Sequence, residues 1–213
     1  PMTIIETTND SGVFVGTFTV PNYNGQDMEL TYYEARDAGG NTSEVYDTAT
    51  ITSNSGSVSF DRSVYPVPFV AGEIEDGSGT DISTITGPVT MLVTVSDADF
   101  TDDTLTTGSA TGDISIKLIQ TGSDGVECFT AGGTTSSAAS GSVVEELGPL
   151  SEIVRGTSEF EVEFTLDKVQ DCGASDKTVA SGDVIQVMYT DTSDDTGDST
   201  STYDSATFDL RTG

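Results

Sequence analysis

Histidine and tryptophan are absent from all 213 residues. Without an imidazole, Ser-His-Asp and Cys-His catalytic arrangements cannot be built, and most zinc sites lose their usual ligand. Basic residues are scarce as well: 7 Lys and Arg stand against 36 Asp and Glu, a formal charge of −29. No Lys/Arg stripe exists to neutralise phosphates, which excludes nucleic acid and, by the same sign argument, an anionic membrane surface. Basic partners, metal cations and a salt-rich medium remain compatible. No run of eighteen apolar residues occurs, so no membrane span is expected. The chain opens at Pro1 with neither an initiator Met nor a signal peptide, and it reads as a mature or proteolysed product, or part of something longer.

Cysteine is limited to Cys128 and Cys172, in Gly-rich or polar surroundings and with no CxxC pair. One disulfide between them is the expectation for an acidic β protein outside the cell, with two unpaired thiols as the alternative. Catalysis has little else to stand on. The carboxylate pairs Glu73/Glu75 and Glu145/Glu146 are formally available for glycoside hydrolysis, but closeness in sequence says nothing of the spacing across a cleft. The chain is therefore not expected to be an enzyme.

What is abundant is β-forming and turn-forming: Ser and Thr number 59, and Gly 23. The apolar residues lie in period-2 runs at Val13–Val20, Met28–Glu34, Met91–Val95, Ile114–Leu118, Phe160–Leu166 and Ile185–Tyr189. In the cleanest, Phe160, Val162, Phe164 and Leu166 face one way and Glu159, Glu161 and Glu163 the other, a strand with one wet face. Only Gly141–Val154 is compatible with a short helix, and Thr134–Ser142 is a low-complexity loop. Many strands with turn signals between them predict an all-β protein, an antiparallel β-sandwich.

The chain also repeats itself. Gly25–Ile51 and Gly182–Phe208 align without gaps at eight identities, Gly25/Gly182, Tyr32/Tyr189, Asp37/Asp194, Gly40/Gly197, Tyr46/Tyr203, Asp47/Asp204, Ala49/Ala206 and Thr50/Thr207. Chance in so biased a composition gives about two or three. Upstream, Glu6, Phe14, Phe18 and Thr19 match Glu152, Phe160, Phe164 and Thr165 at a different offset, with Asp167–Ser181 inserted in place of Pro21–Asn24. Ser57–Ser151 has no counterpart before the first copy. Residues 1–53 thus read as the closing strands of a module whose opening strands are missing, and residues 54–213 as one complete module. Three strands leave a face wet and edges open, so another polypeptide or a preceding stretch of chain is expected to complete them. The second module opens at VSFDRSVYPVPF, where Pro66 and Pro68 restrict the strand to an edge or to a switch between sheets.

The segments ETTNDSGVFVGTF, VSFDRSVYPVPF and VTVSDADFTDD, in that order, resemble the tandem immunoglobulin-like modules of surface-layer (S-layer) proteins from ammonia-oxidising archaea. The resemblance covers nearly the whole chain. It implies a secreted structural protein of tandem immunoglobulin-like β-sandwich modules at the cell surface, self-assembled into a two-dimensional porous lattice with an acidic, often glycosylated, cation-attracting surface. Ammonium enrichment at the pores follows from the resemblance alone. The runner-up is a Ca²⁺-dependent adhesin or strand-donating filament subunit.

Two acidic stretches are candidate Ca²⁺ sites. Asp97, Asp99, Asp102 and Asp103 (SDADFTDD) sit at a strand end, where carboxylates at this spacing converge on a hard cation or form a solvated loop. Asp191, Asp194, Asp195 and Asp198 fail the EF-hand template, and a hydrated hairpin loop is the competing reading. Tyr46-Asp47 and Tyr203-Asp204 persist in both copies, which predicts packed rings and carboxylates bonded to neighbouring turns. Two sequons, at Asn9 and Asn41, mark candidate glycosylation sites on loops.

Overall fold

A computed structural model describes residues 3–19, 26–51, 54–73, 78–80, 87–100 and 102–209. Every regular element among them is a β-strand, as the β-branched and aromatic alternation requires. The chain divides into two compact units, Pro1–Thr52 and Ser53–Gly213.

The first unit contains β1 (Ile5–Glu6), β2 (Phe14–Val15), β3 (Asp27–Glu34) and β4 (Ser43–Thr50). β1 pairs antiparallel with β2, and β3 with β4, as two separate two-stranded sheets. Their apolar side chains are bare: Phe14, Phe18, Leu30 and Tyr32 are all exposed. Ile4, Phe14, Val15, Leu30 and Tyr32 line an open groove of about 550 Å³. The strand expected over Val13–Val20 is regular only at Phe14–Val15, and Val20 lies outside the described residues. Among the described residues, the backbone beyond that pair has no ladder partner to hold it extended.

The second unit begins with β5 (Ser57–Phe60), β6 (Val64–Pro66), β7 (Val89–Ser96), β8 (Thr104–Leu105), β9 (Ile114–Ile119) and β10 (Val126–Ala131). It continues through β11 (Glu145–Glu146), β12 (Leu150–Glu152), β13 (Glu159–Leu166), β14 (Val169–Asp171), β15 (Asp176–Thr178), β16 (Val184–Asp191) and β17 (Thr200–Asp209). One sheet runs β11-β10-β9-β16-β17-β6 and the other β5-β7-β13-β12-β8. Their facing residues interdigitate as a sandwich core, with Val89, Met91, Val93 and Val95 of β7 and Phe160, Phe164 and Leu166 of β13 meeting Ile114, Ile116, Ile185, Val187 and Phe208. The chain passes from one sheet to the other between β5 and β6. β6 is an edge strand, parallel to β17, so Pro66 is tolerated there.

No helix forms in Gly141–Val154. Gly148 takes a left-handed backbone (φ 88°) next to Pro149, which interrupts any helical run, and the segment instead supplies β11 and β12. The insertion Asp167–Ser181 forms the β14–β15 hairpin. A disulfide joins Cys128 on β10 to Cys172 just past β14, across a sequence separation of 44. Closing a loop of that length restricts the unfolded chain by about 4 kcal/mol at most.

The repeat is carried in the backbone as well as in the sequence. β3 and β4 pair from Asp27↔Thr50 to Glu34↔Ser43, the same register as Val184↔Thr207 to Asp191↔Thr200 in β16 and β17. Glu6↔Phe14 likewise matches Glu152↔Phe160. Even the turn between those strands recurs: Glu6 Oε1 accepts from Gly12 N at 2.8 Å where Glu152 Oε1 accepts from Ser158 N at 3.0 Å. Left-handed residues occupy matching places, Asp10 and Gly12 in one turn, Gly156 and Ser158 in the other.

Candidate functional site

The two acidic stretches of the second unit, separate in sequence, meet around Asn54–Gly56. Asp99 Oδ1 accepts from both the backbone N and Nδ2 of Asn54, each at 2.9 Å. Asp195 Oδ1 accepts from the Ser55 hydroxyl at 3.0 Å, and Asp191 Oδ2 from Gly56 N at 2.8 Å. Asp97 lies beneath them, 1% exposed. Its Oδ2 accepts from Tyr189 Oη at 2.6 Å and its Oδ1 from Asp99 N at 2.9 Å. The entry segment of the unit is thereby clamped by carboxylates from both sheets.

Electrostatics follow from this crowding. Burial pushes the Asp97 carboxyl above its ordinary value, with the nearby Asp191 and Asp99 charges adding to the effect and the Tyr189 hydrogen bond opposing it. Burial and the Asp97 hydrogen bond likewise push the Tyr189 phenol up. Asp194 behaves oppositely: the Thr196 hydroxyl and the N–H groups of Thr196 and Asp198 hold its carboxyl below the usual range.

The other candidate residues stand apart in role. Asp194 closes the β16–β17 loop, and Asp37 closes the β3–β4 loop in the same way, accepting from Gly39 N and Asn41 N at 2.8 Å each. This Asx geometry explains why the aspartate recurs. Asp198 donates its backbone N–H to that loop. Asp103 pairs with Arg155 at 3.4 Å, and Asp102 is exposed. Among the described residues no group of three or more such side chains gathers as a metal-ligating set. Both carboxylate oxygens of Asp97 and Asp191 accept hydrogen bonds from donors of the chain itself, as do Oδ1 of Asp99 and Oδ1 of Asp194. Asn9 and Asn41 both lie exposed on hairpin loops.

Of the carboxylate pairs, Glu75 lies outside the described residues and Glu73 pairs with Lys168 at 3.7 Å. Glu146 is buried and accepts from the N–H groups of Gly112, Gly133 and Gly148, a structural bracket for three tight backbone passages. Burial pushes Glu145 up.

The persistent Tyr-Asp pairs correct one expectation. Tyr46 and Tyr203 do not pack; both rings are exposed. Strand alternation turns Ala206 and Phe208 inward, and Asp204 shares their parity, so the carboxylate and not the ring faces the opposite sheet. Asp204 Oδ2 accepts from Phe60 N at 2.9 Å, tying β17 to β5. Tyr189 to Asp97 is the second tie between the sheets. Recurrence of Tyr32/Tyr189 and Asp47/Asp204 was the sequence signal for both ties.

The fold and its internal duplication define the class, an all-β sandwich protein built from repeated two-hairpin frames. No protein-family model matches the chain, and no curated protein is significantly similar to it.

Proposed function

We propose that this chain is a structural component of an extracellular surface layer, built from tandem immunoglobulin-like β-sandwich modules whose acidic surface attracts cations. The observation that carries the reading is the duplicated frame within one strongly acidic chain: a repeated module is the natural unit of an extended array. With −29 charges and 7 basic residues, aligned modules create a negative potential that is focused where they line a narrow opening. Enrichment of ammonium or other monovalent cations is confined to such pores, because at seawater salt the Debye length is only about 3 to 4 Å.

Electron microscopy of the purified native assembly tests this directly. A planar lattice is expected; isolated particles or strings would sink it. A strand-exchanging filament or adhesin subunit is the second reading, favoured by the bare faces of the first unit, and strings of subunits would support it. Cation retention is tested separately by equilibrium dialysis of the assembled sheet against free chain, with greater retention per chain expected in the sheet. Chelation discriminates between field and cage: removal of Ca²⁺ at constant ionic strength leaves the unfolding midpoint of the second unit unchanged if the carboxylates act only as a field, and lowers it if they hold the ion.

A further inference from the structure

We infer that the first unit is an acceptor that binds the opening half of a sister module, a polypeptide with the strand chemistry of Asn54–Pro149, and that Tyr32 and Asp47 are the residues that recognise it. The second unit shows what covers the equivalent surface. There β13, the counterpart of β2 and its flanks, pairs with β7 along eight residues, from Glu159↔Ser96 to Leu166↔Val89. β16, the counterpart of β3, pairs with β9 from Val184↔Ile119 to Tyr189↔Ile114. In the first unit neither neighbour is present among the described residues. The consequence is quantitative: Phe160 and Tyr189 are 0% and 3% exposed, their counterparts Phe14 and Tyr32 55% and 56%.

The polar groups carry the same message. Asp204 uses one oxygen on its neighbour Ser205 N, at 2.8 Å, and the other on Phe60 N. Asp47 repeats only the first half, accepting from Thr48 N at 3.0 Å. Its second oxygen and the Tyr32 hydroxyl have no hydrogen-bond partner among the described residues. Both ties between sheets therefore exist in the first unit as half-bonds. Tyr32 is set to donate to a carboxylate at the end of a β7-like strand, and Asp47 to accept from a backbone N–H of a β5-like strand. The apolar groove that Tyr32 lines with Ile4, Phe14, Val15 and Leu30 accepts the alternating side chains of such strands.

A second copy of this chain is the wrong donor. Its own Asn54–Pro149 contains Cys128, which is bonded to Cys172 beyond that segment and so held within its own module.

The inference rests on the tandem-module part of the proposed function and not on lattice assembly. Its test is the full chain with an extra copy of Asn54–Pro149, carrying Cys128→Ser, joined directly ahead of Ile4 so that strand order matches the second unit. Amide exchange of Met28–Tyr32 is expected to slow by about 100-fold or more relative to the unfused chain. Tyr32→Phe and Asp47→Ala should each return about tenfold of that protection. Thr31→Cys in the first unit and Ser115→Cys in the added segment should form a disulfide, because their counterparts Met188 and Ser115 are register partners. Unchanged exchange with the second unit still protected, or no crosslink at that pair, overturns the inference. Concentration-dependent protection of β3 in the unfused chain overturns it too, by making a second copy the occupant. A fused chain that is protected and crosslinked but never tiles a plane removes only the surface-layer reading.

Discussion

The two units share a frame and differ in whether it is filled. β3–β4 and β16–β17 have the same register, the same Asx-closed loop and the same outward Tyr, yet one hairpin has a bare face and the other is buried in a core. Hairpin geometry is therefore local, set by turn chemistry and alternation. Burial is not local: it depends on strands that the opening half of a module brings from far along the chain.

Truncating the core should separate the units most sharply. Phe164→Ala removes a ring packed at 4.9 Å from Phe129 and is expected to lower the stability of the second unit by about 3–5 kcal/mol in denaturant unfolding. Phe18→Ala, its exposed counterpart, should change stability by less than about 0.5 kcal/mol. Similar losses from both would mean that the first unit has a core after all.

Reduction comes next. Cleaving Cys128–Cys172 should cost the second unit about 2–4 kcal/mol and leave amide exchange in β3–β4 unchanged. Tyr189→Phe follows, with about 1.5–3 kcal/mol lost from a hydrogen bond to a buried carboxylate, against no measurable change for Tyr32→Phe in the unfused chain.

The Asp97 carboxyl adds a pH signature. Its folded value is raised above the ordinary 3.8, so its contribution is full below 3.8 and is lost as pH rises through the folded value. Asp97→Asn should flatten that fall in stability, measured by unfolding midpoints across the acidic range. Asp194, held low, runs the other way, its contribution present above 3.8 and lost as pH falls through the folded value.

The smallest effect concerns the shared β1–β2 and β12–β13 turn. Ser158 and Asp10 are non-glycine residues with φ of 57° and 58°, and glycine sits at the other left-handed position of each turn. Ser158→Gly relieves backbone strain but removes the hydrogen bond that the Ser158 hydroxyl donates to Phe100 O at 3.2 Å, so the unfolding midpoint of the second unit should shift by no more than about 0.5 kcal/mol in stability.

Period-2 alternation made the long strands legible because one wet face leaves its mark on every second residue, as in Glu159, Glu161 and Glu163. The repeat was legible to the level of register, since Tyr32/Tyr189 and Asp47/Asp204 are held by backbone geometry that tolerates no slip. The short strands β11 and β12 were not, because two or three residues carry no period and a Glu-Glu-Leu run reads equally well as helix. Nor was the clamp on Asn54–Gly56 visible: Asp99 and Asp195 converge only after the sandwich closes, and no spacing in sequence encodes a distance between sheets. The sequence names the aspartates of the two acidic stretches but not their hydrogen-bond partners, because aspartate serves cations and backbone N–H groups with the same two oxygens.

The Cys128–Cys172 bond has a mechanical meaning for a protein loaded along its length. Tension applied at the chain ends cannot pass into the enclosed loop, so that loop is withheld from extension while the bond is intact. At the reach of an extended chain, a separation of 44 residues corresponds to about 150 Å of hidden length. Single-molecule pulling with and without reductant would register that difference as a longer unfolding step, making the second unit a stiff segment under oxidising conditions and an extensible one when reduced.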